Sequence, residues 1–556
     1  MRREVSVVNK KVCSFPILFA LLALVVGTCA VVFPASAQAA PTSTGSITVS
    51  GTVASSYDAY QIFSANVVDG DSDAKIATDL TWASDAARDA ALPVLHSAGM
   101  PNSQTTAQEA AEWLNTDSHL TSALSAQLAR SLQSSGAVFV ALNAGTAAEL
   151  HCGYWLIVAD DDAIAQGEVG TAPIMALVGG SAVTVKPKAA TPKVSKHVLE
   201  DGTAAWQKAA DATVADDLYW RLSATVPAGL AAYDTYTVQF VDTMSAGLDP
   251  SKVATSVRVY VAAGAEGGFD AVSCEGGSAS STPAKGWTDI TSQCKVSVEG
   301  NAFTVRTGDL IAALGGADAF AAGARVVAVY NAPLGANCNR GATKGNPNEV
   351  YLRYPRSPLV DQSGDAGFTH TPSDDATAYT WGLSLIKRSS SDDKPLASAK
   401  LRIIDDRGRI LTTDGSWSTD ADACVTTGAD GHAELSGVDA GVYTVEEAAA
   451  PKGYTAFEGK RTVTVTSEGL DAKQVAAAKL KVTVSVKSPL RVDTADAGTG
   501  SIELSVLNTP SKEASRGFIP STGDRTLVLV AVLAAIGVAA IVVGLVIKRG
   551  GGRREK

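Results

Sequence analysis

The 556-residue sequence has few of the side chains on which catalysis and metal binding usually depend. It contains six histidines and seven cysteines. There is no CxxC pair and no histidine cluster, so we expect neither a metal site nor a cofactor. The histidines lie in no recognisable catalytic motif, and we therefore do not expect a hydrolase. The formal net charge is -11, and no basic stripe with aromatic residues is present, so nucleic acid is not an expected partner.

Long apolar runs occur near both ends of the sequence. Residues 527–547 are all aliphatic, Ala or Gly, and as a helix they would span about 31 Å, enough for a bilayer core of about 30 Å. The tail at 548–556, KRGGGRREK, is strongly basic and is expected to stay on the cytoplasmic side. We therefore predict a C-terminal transmembrane helix, with the bulk of the chain outside the cell.

The N-terminus predicts export. Four basic residues precede an apolar run at residues 17–33, and the small residues ASAQAA follow it. This order is typical of a secretory signal peptide, which we assign to residues 1–40. The alternative is a retained N-terminal anchor, but the chain already has a predicted C-terminal one.

Export permits disulfides among the cysteines that remain after the signal peptide is removed. These are Cys152, Cys274, Cys294, Cys338 and Cys424. Cys274 and Cys294 bracket one loop-like insertion, and we predict that they form a disulfide. The odd count leaves at least one thiol unpaired or intermolecular.

The exported part of the chain is long enough for three domains, which we place at residues 41–190, 191–360 and 376–510. Recurrent alternating runs rich in Ala, Gly, Ser, Thr and Val favour β-structure. The first domain is expected to be α+β, because strand-like segments flank two Ala-rich stretches with helical spacing, TTAQEAAEWLNTD and LTSALSAQLARSLQSSG. Its acidic triplet at 160–162 is interpreted as a solvated turn rather than a metal site, since no further acid follows at regular spacing.

A short motif, IPSTG, stands just before the C-terminal apolar run. It comprises Ile519, Pro520, Ser521, Thr522 and Gly523. Pro favours an extended residue before it, and Gly leaves the next peptide bond accessible, as an enzyme that cuts the chain requires. The order of motif, span and basic tail resembles the LPxTG cell-wall sorting signal of Gram-positive surface proteins, with Ile519 in place of Leu. The resemblance implies that a sortase cysteine attacks the Thr522 carbonyl, releases Gly523 onward and passes the acyl group to an amine. The alternative is a linker with a chance similarity.

One candidate for that amine is Lys188. The stretch VTVKPK resembles the pilin motif V-x-V-Y-P-K of sortase-assembled shaft pilins, with Lys186 in the place of the Tyr. The upstream Trp that usually accompanies the motif is missing. Because a strand end holds an acceptor better than a flexible loop, we favour this role for Lys188 over that of an ordinary surface lysine.

The last domain carries another resemblance. The stretch YTVEEAAAPKGY resembles the YxLxExxAPxGY box of collagen-adhesin B-type domains, which are immunoglobulin-like β-sandwiches. The resemblance implies an intramolecular isopeptide bond between Lys387 on the first strand and Asn508 on the last, with Glu447 as the catalytic acid. Glu446 is the competing carboxylate, but strand alternation places it on the opposite face from Glu447.

The middle domain resembles the second domain of shaft pilins. Lys196 lies on an expected strand between two valines, and a lysine that faces an apolar core is costly unless it has a partner. The resemblance implies a second isopeptide bond from Lys196 to an asparagine of GNPN, with Asp242 as the catalytic acid. We favour Asn348 over Asn346 because Asn348 opens the strand that follows, and the choice between them stays open.

The chemistry of such a bond follows from the residue types. The lysine must be a neutral amine, and the departing ammonia needs a proton. Burial lowers the pKa of a lysine and raises that of a carboxyl, so a buried carboxyl can serve as acid and then as base. The reaction occurs once per molecule, so we expect self-processing and not an enzyme with turnover.

Together these features resemble a shaft, or backbone, pilin, a mainly β protein with tandem immunoglobulin-like sandwiches after an α+β domain. The resemblance implies a surface fibre, anchored to the cell wall, in which Thr522 of one copy joins Lys188 of the next. The partners it implies are other copies of the chain, pilus-specific and housekeeping sortases, peptidoglycan and a host surface ligand that the sequence does not identify. The alternative is a minor pilin or a singly wall-anchored adhesin, which would not use Lys188.

Overall fold

The computed structural model of the protein describes residues 43–511, apart from 52, 72–73, 117, 188–189, 276–277, 321, 414 and 471–479. Strands dominate, and the prediction of a mainly β chain is confirmed. The strands form three successive units, each with its own sheets and buried core. Within the described residues, no helix is both long and apolar enough to cross a bilayer.

The N-terminal unit contains two sheets. Its strands are β1 Thr44–Val49, β2 Ser56–Asp69, β3 Lys75–Trp82, β4 Phe139–Asn143, β5 Ala147–His151, β6 Gly153–Ala159, β7 Ile174–Val178 and β8 Val183–Val185. One sheet has the order β5-β1-β8, and the other has the order β3-β2-β6-β7 with β4 paired to β2. Strand β8, which leads to the predicted acceptor lysine, is held by parallel pairing with β1.

Three helices pack on this unit: α1 Asp85–Ser97, α2 Ala107–Asn115 and α3 Ser122–Ser134. Helix α2 begins with a capping box, in which Thr106 and Glu109 each accept the other's backbone N–H. Helices α2 and α3 are those that the sequence predicts. Helix α1 is not predicted, because Pro93 interrupts its pattern.

The middle unit is the largest. Its strands are β9 Lys193–Glu200, β10 Ala205–Gln207, β11 Ala209–Asp211, β12 Tyr219–Val226, β13 Gln239–Met244, β14 Arg258–Ala263, β15 Val272–Glu275, β16 Ser278–Pro283, β17 Thr288–Asp289, β18 Lys295–Glu299, β19 Ala302–Arg306, β20 Ala324–Asn331, β21 Asn346–Pro355, β22 Phe368–His370 and β23 Asp374–Tyr379, with short helices α4 Val253–Ser256 and α5 Leu310–Ala313. Two large sheets have the orders β10-β9-β12-β20-β14-β17 and β11-β23-β21-β13-β19-β18, and β22 pairs with β21. Strands β15 and β16 form a separate hairpin.

The middle unit continues past residue 360, where the sequence places its end. Strand β23 pairs with β21 and carries the sheet to Tyr379. This pairing covers an edge of β21 that would otherwise expose its backbone groups.

The C-terminal unit is a second sandwich. Its strands are β24 Trp381–Ser389, β25 Lys400–Ile404, β26 Ile410–Leu411, β27 Trp417–Ser418, β28 Val425–Thr426, β29 His432–Val438, β30 Gly441–Ala449, β31 Tyr454–Thr455, β32 Arg461–Glu468, β33 Lys481–Val486, β34 Leu490–Asp496 and β35 Ser501–Pro510. One sheet has the order β29-β24-β35-β31 with β34 on β35, and the other has the order β27-β26-β25-β30-β32-β33 with β28 on β25. The first and last strands of the unit, β24 and β35, are parallel neighbours.

Two turns bring the middle and C-terminal units into backbone contact. Gly341 and Gly500 have φ values of +74° and +69°, and a Cβ on either would lie 2.2 Å from the backbone nitrogen of the other. Beside them, the Ala342 N–H donates to the Ala497 carbonyl at 2.8 Å. Both the left-handed conformation and the close approach therefore require glycine at these positions.

The same junction buries carboxyl groups. Glu200 and Asp211 are 7% and 2% exposed. The Trp381 indole N–H and the Ala440 backbone N–H donate to Asp211 Oδ2 at 2.6 and 3.1 Å. Burial, with the nearby charge of Asp211, raises the pKa of Glu200 to about 8 and holds the pKa of Asp439 well above its ordinary value. Glu200 and Asp439 are therefore most compatible with the folded junction when they are protonated.

Raising the pH is expected to weaken this junction. The pKa of Glu200 is 4.5 ordinarily and about 8 in the fold, so between these values the folded state binds more protons than the unfolded state. Its stabilising contribution is complete below pH 4.5 and is lost as the pH rises through 8. Thermal unfolding from pH 5 to about pH 9 should show a falling melting temperature, with a smaller slope in Glu200→Gln. Glu299→Gln, which removes an exposed carboxylate of the middle unit, should follow the wild type. Identical slopes for all three proteins would contradict this account.

Candidate functional site

Three strands of the C-terminal unit each place a polar side chain in the core, next to apolar neighbours on the same face. The polar residues are Lys387 on β24, Glu447 on β30 and Asn508 on β35. The side chains of Lys387 and Glu447 are 0% exposed, and Asn508 is 1% exposed. Because side chains two residues apart share a face of a strand, the preceding apolar pairs direct each polar residue inward. These pairs are Leu383 and Leu385, Tyr443 and Val445, and Leu504 and Val506.

The three polar groups are in mutual contact. Lys387 Nζ lies 2.5 Å from Asn508 Oδ1 and 2.9 Å from Glu447 Oε1. The amide nitrogen of Asn508 donates to the same Glu447 oxygen at 2.8 Å. An amine, a side-chain amide and a carboxylate thus meet in one water-excluding core.

Phe457 completes the surroundings of this C-terminal cluster. Its backbone N–H donates to Glu447 Oε2 at 2.9 Å, and its ring centroid lies 5.4 Å from Lys387 Nζ. Glu446, on the other face of β30, pairs instead with Lys460 at 2.5 Å. The position of Glu447 is therefore fixed from both of its carboxylate oxygens.

Burial controls the protonation of the amine. Desolvation lowers the pKa of Lys387, and the hydrogen bond and charge of Glu447 oppose that effect. A lower pKa increases the population of the neutral amine, which is the form that attacks a carbonyl.

A second cluster lies between the two large sheets of the middle unit. Lys196 on β9 and Tyr330 on β20 belong to one sheet, and Asp242 on β13 and Asn348 on β21 belong to the other. All four residues are 0% exposed. Lys196 Nζ donates to Asp242 Oδ2 in a buried ion pair and to the Tyr330 hydroxyl at 3.0 Å.

Tyr330 links the remaining members of this middle cluster. Its hydroxyl donates to Asp242 Oδ2 at 3.0 Å and accepts from Asn348 Nδ2 at 2.8 Å. Burial lowers the pKa of Lys196 to about 8, against the opposing charge of Asp242. Burial also raises the pKa of Asp242, which the Lys196 charge opposes. Both pKa shifts favour a neutral Lys196 amine beside a neutral Asp242 carboxylic acid.

The geometry distinguishes the two asparagines of GNPN. Asn346 is fully buried, but its amide is occupied by backbone groups: Nδ2 donates to the carbonyls of Asn339 and Ala378 at 2.9 and 3.2 Å, and Oδ1 accepts from the Asn339 N–H at 2.8 Å. Asn348 belongs to the cluster of Lys196 and has an Oδ1 without a hydrogen-bond partner in the described part of the chain. Of the two asparagines, Asn348 is therefore the one in contact with the cluster of Lys196.

The predicted polymerisation and sorting residues lie outside the described residues. These are Lys188, the motif Ile519 to Gly523, the apolar run 527–547, the basic tail 548–556 and the signal peptide 1–40. The nearest described strand, β8, ends at Val185, and the Ser50 N–H donates to the Val185 carbonyl at 2.8 Å. The backbone that precedes Lys188 is thus anchored by hydrogen bonds.

The predicted disulfide is wrong for this structure, because Cys294 is a free thiol. Its Sγ donates to the Ile290 carbonyl at 3.3 Å, immediately before β18. Cys274 lies on β15, which belongs to the separate hairpin with β16. Cys274 and Cys294 are close in sequence, but Cys274 belongs to the β15–β16 hairpin and Cys294 lies beside a different sheet.

The acidic triplet forms a turn. Asp160 Oδ1 accepts from the Asp162 N–H at 3.1 Å, and its Oδ2 accepts from the Ser56 hydroxyl at 2.8 Å. Among the described residues, no group of three His, Cys, Asp or Glu side chains is arranged to hold a metal ion.

Sequence reasoning missed two residues, Tyr330 and Phe457. Tyr330 lies on β20 two residues after Ala328, which is fully buried, so alternation could have predicted that it points inward. Its position near Lys196 depends on the register in which β9 and β20 each pair with β12, and no sequence signal reports that register. Phe457 contributes a backbone N–H from the segment after β31, for which side-chain patterns give no signal.

A family model of known proteins matches part of the C-terminal unit. Residues 382–479 match the family model of the SpaA prealbumin-like fold domain. The matched residues include Lys387 and Glu447, so this part of the C-terminal unit is similar to a SpaA prealbumin-like domain. No curated protein sequence is similar to the chain.

Several solved structures are similar to the chain over most of its length. The T6 backbone pilin of serotype M6 Streptococcus pyogenes has 16% identity and a TM-score of 0.46, with 86% of this chain and 100% of that chain covered. The full-length major pilin SpaD from Corynebacterium diphtheriae has 15% identity and a TM-score of 0.42, with 86% and 100% covered. BcpA, the major pilin subunit of Bacillus cereus, has 12% identity and a TM-score of 0.39, with 84% and 99% covered.

Proposed function

We propose that the chain is the structural major subunit of a covalent surface pilus, or fimbria, of a Gram-positive cell. The observation that carries the proposal is the mutual contact of Lys387, Glu447 and Asn508 in the core of the C-terminal unit, part of which is similar to a SpaA prealbumin-like domain. A core that buries an amine against an amide and a carboxylate gains little from an ion pair alone, because desolvation opposes it. The same arrangement is well suited to closing the domain covalently.

The reaction in the C-terminal unit exchanges one amide for another. Glu447 takes a proton from the Lys387 ammonium, and the neutral Nζ attacks Cγ of Asn508. Glu447 returns that proton to Nδ2 as the Cγ–Nδ2 bond breaks, and accepts the second proton from the attacking nitrogen. An Nζ–Cγ amide forms and one ammonia leaves. The reaction is favoured because the reacting groups lie close together and because the carboxylate that transfers the protons is buried and fixed in position. The equivalent bond in the middle unit joins Lys196 to Asn348, with Asp242 as the acid.

Polymerisation is the second part of the proposal. A pilus sortase forms an acyl-enzyme at Thr522, and Lys188 of another copy takes over the acyl group, so the copies join head to tail. Such heterologous joining builds an open filament. A housekeeping sortase then attaches the fibre to peptidoglycan, and the exposed fibre supports adhesion to a host surface. The anchored β8 that precedes Lys188 supports an acceptor held in a defined place.

The test is an immunoblot of cell-wall extracts boiled in detergent, comparing the wild type with Lys188→Ala. We expect a ladder of high-mass species in the wild type and monomer alone in the variant. Lys186→Ala, which removes a neighbouring lysine, is the control and should keep the ladder. A ladder that survives Lys188→Ala would move the acceptor, with Lys186 and Lys193 next in line. A single monomer band in the wild type would contradict the shaft role and favour a singly anchored adhesin.

A further inference from the structure

The two clusters differ in how the carboxylate reaches the amide. In the C-terminal cluster, Glu447 Oε1 contacts both the lysine amine and the leaving nitrogen of Asn508. In the middle cluster, Asp242 is shorter by one methylene, and the leaving nitrogen of Asn348 contacts the Tyr330 hydroxyl instead. Among the described residues, Asp242 Oδ1 and Asn348 Oδ1 have no hydrogen-bond partner. A proton on Asp242 therefore has no direct path to the leaving nitrogen.

The Tyr330 hydroxyl bridges that gap. A phenol has one O–H to donate and two lone pairs to accept with. Tyr330 uses all three, because it accepts from Lys196 Nζ and Asn348 Nδ2 and donates to Asp242 Oδ2. It is the one group in the cluster that touches the nucleophile, the leaving nitrogen and the acid.

Packing holds the phenol in this position. The Phe303 and Tyr330 rings meet edge to face with centroids 4.7 Å apart. Tyr330 also lies on a fully buried strand face with Val326 and Ala328. The hydroxyl is therefore oriented before any reaction begins, which reduces the reorganisation that proton transfer would otherwise require.

We propose that Tyr330 is a catalytic residue that relays a proton from Asp242 to the leaving nitrogen of Asn348. The inference rests on the proposed function, since it assumes that the middle unit forms the Lys196–Asn348 bond. The Lys196 ammonium first gives a proton to Asp242, and the neutral Nζ attacks Cγ of Asn348. Tyr330 then gives its proton to Nδ2 and takes the proton held by Asp242. The Cγ–Nδ2 bond breaks, ammonia leaves, and Asp242 accepts the remaining proton of the attacking nitrogen.

The protonation state of the phenol agrees with this role. Burial raises the pKa of Tyr330 well above its ordinary value, and the charge of Asp242 raises it further. The hydroxyl therefore keeps its proton at neutral pH and gives it up only when Asp242 replaces it in the same event. Positioned acid–base groups typically contribute about 100-fold or more to a rate.

The relay is tested by following bond formation in the full chain during cell-free synthesis. Samples are denatured at intervals, and the linked peptides containing Lys196–Asn348 and Lys387–Asn508 are measured by mass spectrometry. We expect Tyr330→Phe to slow the middle bond by about 100-fold or more and to leave the C-terminal bond unchanged. The rate at which the C-terminal bond forms thus serves as an internal reference, and the bond itself is a control for synthesis and folding.

A rescue variant separates a relay from a packing role. Combining Tyr330→Phe with Asp242→Glu lengthens the carboxylate by one methylene and reproduces the direct contact of the C-terminal cluster. We expect the rate of the middle bond to recover at least in part. An unchanged rate in Tyr330→Phe, or a slow rate that the longer carboxylate does not restore, would overturn the relay. Absence of the middle bond in the wild type would instead refute the proposed crosslink on which the relay rests.

Discussion

Replacing Asn508 with alanine is expected to lower the free energy of unfolding of the C-terminal unit by about 5 kcal/mol, through loss of its crosslink. The bond would join residues 121 positions apart, and a closed segment of that length strongly restricts the unfolded chain. For a unit of this size the melting temperature should fall by roughly 15–20 °C. Differential scanning calorimetry measures the loss of stability. Intact mass measures the loss of the crosslink, because the variant should keep the ammonia that the wild type releases when the C-terminal bond forms.

Glu446→Gln is the matched control for this prediction. Glu446 is the neighbour of Glu447 on β30, but its carboxylate pairs with the exposed Lys460 outside the cluster. Lys460 is 70% exposed, and ion pairs open to solvent on one side contribute about 1 kcal/mol, so the control should keep the crosslink and most of the stability. If Asn508→Ala melted with the wild type and showed the same loss of ammonia, the C-terminal crosslink would not exist.

Asn348→Ala and Asn346→Ala should have opposite chemical outcomes in the middle unit. Asn348→Ala removes the amide that Lys196 is proposed to attack, so we expect the crosslink to be lost and stability to fall by about 5 kcal/mol. Asn346→Ala leaves that amide in place but leaves backbone groups of Asn339 and Ala378 without partners, at about 1–3 kcal/mol for each group. Both variants are therefore destabilised, and stability alone does not distinguish them.

Intact mass does distinguish them. Asn346→Ala should still lose the ammonia of the middle unit, and Asn348→Ala should not. Both should lose the ammonia of the C-terminal unit, which verifies that the chain has folded. The reverse pattern, with the middle bond absent in Asn346→Ala and present in Asn348→Ala, would assign the reacting asparagine to position 346.

The C-terminal cluster could be anticipated from sequence because local rules suffice there. The spacing within YTVEEAAAPKGY resembles a known box, and alternation along one strand separates Glu447 from Glu446. Lys387 and Asn508 likewise follow apolar residues at intervals of two. Each inward direction is set within a single strand, without reference to the rest of the fold.

The middle cluster could be anticipated only in part. Asn346 and Asn348 are two residues apart, so alternation directs both inward, and both are 0% exposed. The pairing of β21 with β13 places Met244 opposite Asn348, two residues from Asp242, and this register is a tertiary property. The partnership of Tyr330 with Lys196 is set in the same way by pairing through β12.

The disulfide prediction failed for a related reason. Cys274 and Cys294 are close in sequence, and closeness in sequence says little about pairing when a hairpin intervenes. The β15–β16 hairpin forms its own sheet, whereas Cys294 precedes a strand of the large sheet. Helix α1 was missed for a different reason. Pro93 argues against a helix in the sequence, but packing against α3 stabilises the helix in the folded protein.

The parallel pairing of β24 with β35 determines how the C-terminal unit responds to a pull on its two ends. The strands run side by side over eight residue pairs, from Gly382 opposite Ser501 to Ser389 opposite Asn508. Tension between the start of β24 and the end of β35 acts along the strands, so the ladder bonds are loaded together in shear and do not peel apart one at a time. With the proposed bond between Lys387 and Asn508, the load path would run through β24 as far as Lys387, across the bond and out through the last residues of β35. The segment between these two residues, which is most of the sandwich, would then carry none of the load, and the unit would behave as an inextensible link.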